Sequence, residues 1–225
     1  MLAAADSRPA EGAPLPVRDL GYCAYNAALA EQERQLAAVA AGAAETLLLV
    51  EHPPVYTLGR GADAADLGDA PQRLGVPVFR VGRGGGATFH GPGQMVGYPI
   101  VRLRAGGRDV HGYVRVLEQA LIDTCRAFGV EAAARPGETG VWVAARKIGS
   151  IGIGVRRGVA WHGVALNVDT DLSYFEAITV CRSAATRLVN LATLVERPPP
   201  LAAVGGAVAA ALAGRLGRRL ETSWR

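Results

Sequence analysis

Between Gly140 and Val168 the chain carries three strand-like runs in close succession: Gly140 to Ala144, Lys147 to Val155 and Val159 to Val168. Connections as tight as Arg156-Arg157-Gly158 permit only antiparallel hairpins, because a parallel crossover needs a dozen or more residues. The centre of the molecule is thereby committed to a sheet. In its middle run, Lys147-Ile148-Gly149-Ser150-Ile151-Gly152-Ile153-Gly154, small residues alternate with isoleucines. One face is bulky and the other bare, which suits either close backbone packing or an apolar ligand beside the lysine.

The rest of the chain supplies partners for that sheet. Tyr22 to Ala41 reads as a helix, with Tyr22, Leu29, Leu36 and Val39 at helical spacing and Cys23 packed inside it as a small hydrophobe. Thr46 to Val50 is a buried strand bounded by His52-Pro53-Pro54, and Val55 to Leu58, Val78 to Val81 and Met95 to Val101 are further extended pieces. Asp109 caps a helix whose apolar stripe is Val110, Val114, Leu117, Leu121, Cys125 and Phe128. Asp171 to Ala177 forms a short helix, and a last one runs from Leu201 to Leu216 after three prolines. The expected fold class is α/β (α+β): one domain over residues 20–225 with an antiparallel or mixed sheet, preceded by a flexible Ala/Pro-rich extension over residues 1–19.

Composition narrows the function classes. The 225 residues are 50% hydrophobic and 20% charged, enough for a sizeable core. Three cysteines without paired spacing make no disulfide framework, which points to a reducing cytoplasm. The net charge of +4 is spread along the chain without a basic block, which argues against nucleic acid as a partner. The first twenty residues lack a signal-peptide pattern, and Leu201 to Gly214 is too short to span a bilayer, so no membrane association is expected. His52, His90, His111 and His162 show no paired ligand spacing, so no metal is expected either. Of the 24 Lys and Arg residues only Lys147 is a lysine. Arginine holds its proton permanently, whereas a lysine amine can be tuned to release one, which marks Lys147 as a candidate for chemistry.

Other stretches carry candidate chemistry. In Arg83-Gly84-Gly85-Gly86-Ala87-Thr88-Phe89-His90-Gly91-Pro92-Gly93-Gln94, consecutive glycines let backbone N–H groups approach a ligand. No Gly-Lys-Ser/Thr follows, so it is not a nucleotide P-loop. Alone it also suits a glycine-rich hairpin, but Arg, Thr, His and Gln around the glycines favour binding. His162 reads as a satisfied structural histidine. Cys181 lies outside any helical stripe, in a loop beside Arg182, where a neighbouring cation favours the nucleophilic thiolate.

Together these stretches resemble the lipoyl(octanoyl) transferase family, the octanoyl-acyl-carrier-protein:protein octanoyltransferases. The resemblance runs in order through Glu51-His52-Pro53-Pro54-Val55-Tyr56-Thr57-Leu58-Gly59-Arg60, the Arg83 to Gln94 string and Thr139-Gly140-Val141-Trp142-Val143. It continues through Lys147 to Gly152, His162 to Val168 and Asp171-Leu172 to Cys181. It implies the biotin/lipoate protein ligase fold, a mixed sheet flanked by helices with a smaller second sheet. It also implies a catalytic dyad of Cys181 and Lys147, and a substrate pocket built from Arg83, Gly84, Gly85, Gly86, Ala87, Thr88, Phe89 and His90, from Ser150, Ile151 and Gly152, and from Gly163, Val164 and Ala165.

The reaction so implied moves an octanoyl group from octanoyl-acyl carrier protein, through a thioester on Cys181, to a lysine of a lipoyl domain. Acceptors would be the lipoyl domains of 2-oxoacid dehydrogenase complexes and the glycine cleavage H protein. No cofactor is expected and no ATP, since the donor is already activated; glycine-loop N–H groups with His90 would stabilise the oxyanion. The chain departs from the family pattern in carrying Val180-Cys181-Arg182 where Pro-Cys-Gly is usual, followed by Ser183-Ala184-Ala185-Thr186-Arg187 in place of a Gly-containing loop. The rival readings are an ATP-dependent lipoate or biotin-type ligase and a noncatalytic acyl-carrier or lipoyl-domain binding protein.

Overall fold

A computed structural model describes residues 12–103, 109–179 and 187–222. Its strands in chain order are β1 (Pro14–Tyr22), β2 (Thr46–Glu51), β3 (Val55–Leu58), β4 (Val78–Arg80), β5 (Ala87–His90), β6 (Gln94–Arg102), β7 (Ala133–Arg135), β8 (Glu138–Val143), β9 (Arg146–Arg156), β10 (Val159–Asn167) and β11 (Arg219–Thr222). The helices are α1 (Tyr25–Ala40), α2 (Ala70–Leu74), α3 (Val110–Ala127), α4 (Ser173–Glu176) and α5 (Leu201–Arg215).

Among the described residues, eight strands form a mixed sheet in the order β11-β1-β2-β6-β10-β9-β8-β7, and β4-β3-β5 form a smaller one. The two pairs involving β1 are parallel, and the rest of the large sheet is antiparallel. Strand β2 explains why Thr46 to Val50 is a continuous apolar run: Leu47 and Leu49 pack against the core under α3 and α5, whereas Leu48 and Val50 face α1. A strand buried on both faces has no polar side to display.

The hairpin between β9 and β10 turns through Arg157 (φ 52°) and Gly158 (φ 76°), the paired positive dihedrals of a type I′ turn. The Asp109 carboxylate accepts from the Gly112 N–H at 3.0 Å, capping α3 as its sequence predicts. Cys125 is fully buried on that helix, and burial pushes its thiol up to about 12. No helix among the described residues is long and apolar enough to cross a membrane.

Two expectations require correction. The extension expected over residues 1–19 does not reach residue 19 as loose chain, because β1 starts at Pro14 and pairs with both β2 and β11. Leu15 and Val17 are buried there. Prolines two apart remove donors from only one edge of a strand, so the other edge keeps its ladder. The first helix begins at Tyr25, not Tyr22: Tyr22 ends β1 and is 62% exposed, and Cys23 precedes the helix. Gly21 (φ 60°) lies in a register shift of β1 between Asp19 and Tyr22, and Ala24 at φ −58°, ψ 142° delays the helix.

Candidate active site

A β-bulge aims the lysine. Along β9, Gly149, Ile151 and Ile153 point toward α3 and the core: a Cβ on Gly149 would lie 2.9 Å from Leu121 Cδ1, and Ile151 and Ile153 pack in the main cluster. Strict alternation would send Lys147 the same way. Instead the β8–β9 register shifts between Val141↔Gly149 and Trp142↔Lys147, with Ile148 as the extra residue, fully buried in that core. The shift returns Lys147 to the face of Ser150 and Gly152. All three line one cavity of about 540 Å³, within the usual range for a small-molecule site.

Most of the expected pocket converges on this cavity. Arg83, Gly85, Gly86, Ala87, Thr88 and His90 line it, as do Ser150, Ile151 and Gly152 from β9 and Gly163, Val164 and Ala165 from β10. Gly163 tolerates no side chain, since a Cβ would fall 2.3 Å from the Gly97 carbonyl oxygen on the neighbouring strand. Gly84 and Phe89 do not line the cavity. The Gly84 N–H donates to the Ile153 carbonyl at 2.8 Å, and Phe89 is turned into the small sheet's core against Tyr56, Tyr174 and Phe175. Their role is to hold the loop and β5 in place. Cys181, with the rest of 180–186, lies outside the described residues.

Arg83 builds the glycine loop from within. Its guanidinium is buried and donates to the Thr57 carbonyl and hydroxyl at 2.9 and 2.8 Å and to the Gly84 carbonyl at 3.0 Å. Loop carbonyls in turn accept from Gly59, Arg60 and Gly61 N–H groups, lacing the loop to the chain after β3.

His90 is not the oxyanion donor expected. Gln94 Nε2 donates to Asn167 Oδ1 at 2.9 Å and to the Phe89 carbonyl at 3.3 Å, so its Oε1 accepts from His90 Nδ1–H at 2.7 Å. Burial, then neighbouring His52, pushes His90 down to about 3, so the ring is neutral. Its Nε2 therefore carries a lone pair and can only accept. His52 follows the same logic: Nδ1–H donates to the Cys23 carbonyl, Nε2 accepts from the Tyr98 hydroxyl, both at 2.8 Å, and burial holds the ring down to about 4.

Lys147 is 3% exposed; its Nζ donates to the Thr139 carbonyl at 2.9 Å and stands 5.1 Å above the Trp142 ring centroid. Its backbone is held on the other side by Arg187 and Val189, where the chain returns after 180–186 (2.8 and 3.0 Å). The cavity also contains residues without an assigned role in the sequence reading: Tyr25, Tyr98, Thr139, Trp142 and His162. Burial raises Tyr25 to about 12 and lifts Tyr98 well above the ordinary phenol value, so both keep their protons. His162 is not the satisfied histidine expected. It is 1% exposed at φ 56°, and neither ring nitrogen has a partner among the described residues. Burial, reinforced by Arg83 and Arg60, pushes it down to about 3. Its positive φ, which no sequence pattern announces, turns the ring into the cavity.

The eight-stranded mixed sheet with a three-stranded sheet beside it and flanking helices is the biotin/lipoate protein ligase fold. A lipoate-protein ligase A is similar with TM-score 0.76, 20% identity, and coverage of 95% of this chain and 90% of that one. A biotin protein ligase from Aquifex aeolicus is similar with TM-score 0.53, 11% identity, and coverage of 89% and 70%. Residues 24–213 match the family model of the lipoyl protein ligase A/B catalytic domain. An octanoyltransferase of Geobacter metallireducens is 48% identical over 205 residues, 91% of this chain and 94% of that protein. The chain belongs to the octanoyltransferase family.

Proposed function

We propose that this chain is an octanoyltransferase that carries an octanoyl group from octanoyl-acyl carrier protein to the ε-amine of a lysine on lipoyl domains, through a thioester on Cys181. The observation that carries the reading is Lys147, the one lysine of the chain, buried in the wall of the cavity whose bare strand face has room for an acyl chain. Its amine takes the Cys181 thiol proton, and the thiolate attacks the donor thioester carbonyl. As the tetrahedral intermediate collapses, the carrier thiol leaves with the proton returned by Lys147. In the second half the acceptor amine attacks the Cys181 thioester, gives its surplus proton to Lys147, and the Cys181 thiolate leaves and is reprotonated. An amide replaces a thioester, so the transfer runs downhill without ATP. Burying an octanoyl chain contributes about 5 kcal/mol at ~0.8 kcal/mol per methylene. The lipoyl domains of 2-oxoacid dehydrogenase complexes and the glycine cleavage H protein are the proposed acceptors, reached in the cytoplasm.

The test is incubation with octanoyl-acyl carrier protein without ATP, followed by intact mass measurement. A hydroxylamine-sensitive octanoyl adduct is expected, absent from Cys181→Ala; Lys147→Arg keeps the charge and loses most turnover. Labelling by free octanoate that depends on ATP, or no adduct at all, overturns the reading.

A further inference from the structure

We propose that Glu118 is a positioning residue for Lys147, acting through the single peptide unit between Thr139 and Gly140. The carbonyl of that unit is the group to which Lys147 Nζ donates at 2.9 Å, and its N–H donates to Glu118 Oε1 at 3.2 Å. One rigid plane thus lies between a carboxylate and the buried amine. A carboxylate that accepts from an amide N–H polarises the amide and makes its carbonyl a stronger acceptor. The inference rests on Lys147 being the proton carrier, as proposed above.

The surroundings leave this peptide little freedom. Gly140 sits at φ 134°, and a Cβ there would lie 2.6 Å from Lys147 Cε and 2.7 Å from the Gly149 carbonyl oxygen. The backbone is therefore packed directly on the lysine stem. Glu118 comes from α3, between the fully buried Leu117 and the 1%-exposed Leu121, so its Cα is anchored by the main core. The four-carbon stem carries the lysine head well beyond β9, which holds the residue at its Cα. The helix, through one carboxylate and one peptide, fixes the other end. The Trp142 ring below and Glu138, which lines the same cavity, complete the wall on the β8 side, with Arg146 next in sequence on β9.

The test uses the full chain and single-turnover acylation by octanoyl-acyl carrier protein. Glu118→Ala is expected to slow acyl-enzyme formation about tenfold with half-saturation by the donor unchanged, and Glu118→Gln, which keeps an acceptor oxygen, to recover most of the loss. In a Lys147→Ala background, Glu118→Ala has no further effect. Labelling with ¹⁵N-lysine gives one side-chain amine resonance, expected to shift or broaden in Glu118→Ala and to stay near its original position in Glu118→Gln. A wild-type acylation rate in Glu118→Ala, an equal loss in the Lys147→Ala background, an unmoved resonance, or no recovery with Gln each overturn the inference. Wild-type acylation by Lys147→Ala alone instead overturns the role of Lys147, and that of Glu118 with it.

Discussion

Gly140→Ala measures how tightly the lysine is packed. At φ 134° an L-residue is held in a region that glycine alone visits readily, which costs about 1–3 kcal/mol. The new methyl also lies 2.7 Å from the Gly149 carbonyl oxygen, a strand backbone atom that cannot swing aside, and 2.6 Å from Lys147 Cε, which can. The backbone contact adds roughly another 1–2 kcal/mol of forced displacement. The sum, about 2–5 kcal/mol, lowers the melting temperature by roughly 4–20 °C for a chain of this size. The proper control is Gly137→Ala: that glycine also has positive φ, at 79°, but nothing lies within 4 Å of its Cβ. It should lose only about 1–2 kcal/mol of backbone strain. Calorimetric melting of both variants, with the acylation rate of each, checks the argument. Equal melting temperatures for the two, or an undiminished acylation rate in Gly140→Ala, would refute the claim that the Lys147 stem is packed against this backbone.

Two further outcomes follow from the buried histidines. His52, His90 and His162 are pushed from 6.5 to about 4, 3 and 3, chiefly by burial, so as pH falls below 6.5 the unfolded chain binds protons that the folded chain refuses. Stability therefore drops from about pH 6.5 toward pH 4, with a slope of at most about 4 kcal/mol per pH unit for three protons, and urea titrations that stay flat across that window would contradict it. Tyr98→Phe removes the hydroxyl that donates to His52 Nε2 at 2.8 Å and leaves a buried acceptor unpaired. A loss of about 1–3 kcal/mol in urea unfolding is expected, and an unchanged midpoint would contradict the bond.

Elements whose burial is simple were readable from residue order. Strand β2 is apolar throughout because it is covered on both faces, and α3 shows its stripe and its Asp109 cap. The elements missed lack a local signal, each for its own reason. Strand β1 places Leu15 and Val17 inward, alternating with Pro14 and Pro16, and prolines normally signal the end of a sheet, not a strand flanked on both sides. The start of α1 lacks a side-chain cap, so nothing in the residues distinguishes Tyr22 from Tyr25 as the first turn. Strands β7 and β11, of three and four residues, are too short to establish a period.

The site divides along the same line. The alternation of small residues and isoleucines in β9 forecast a bare face, and Ser150 and Gly152 do line the cavity. The same alternation, extended strictly, would have buried Lys147 under α3, on the side of Gly149 and Ile151. A register shift of one residue decides which side the amine occupies, and that shift is fixed by the pairing of β8 with β9. Likewise His162 reaches the cavity through a left-handed backbone, and Glu118, which belongs to no motif, is tied to the site by the two hydrogen bonds at 139–140. Residue types recorded which chemistry was available. Pairing between strands, which depends on partners far apart in the chain, determined where each group points.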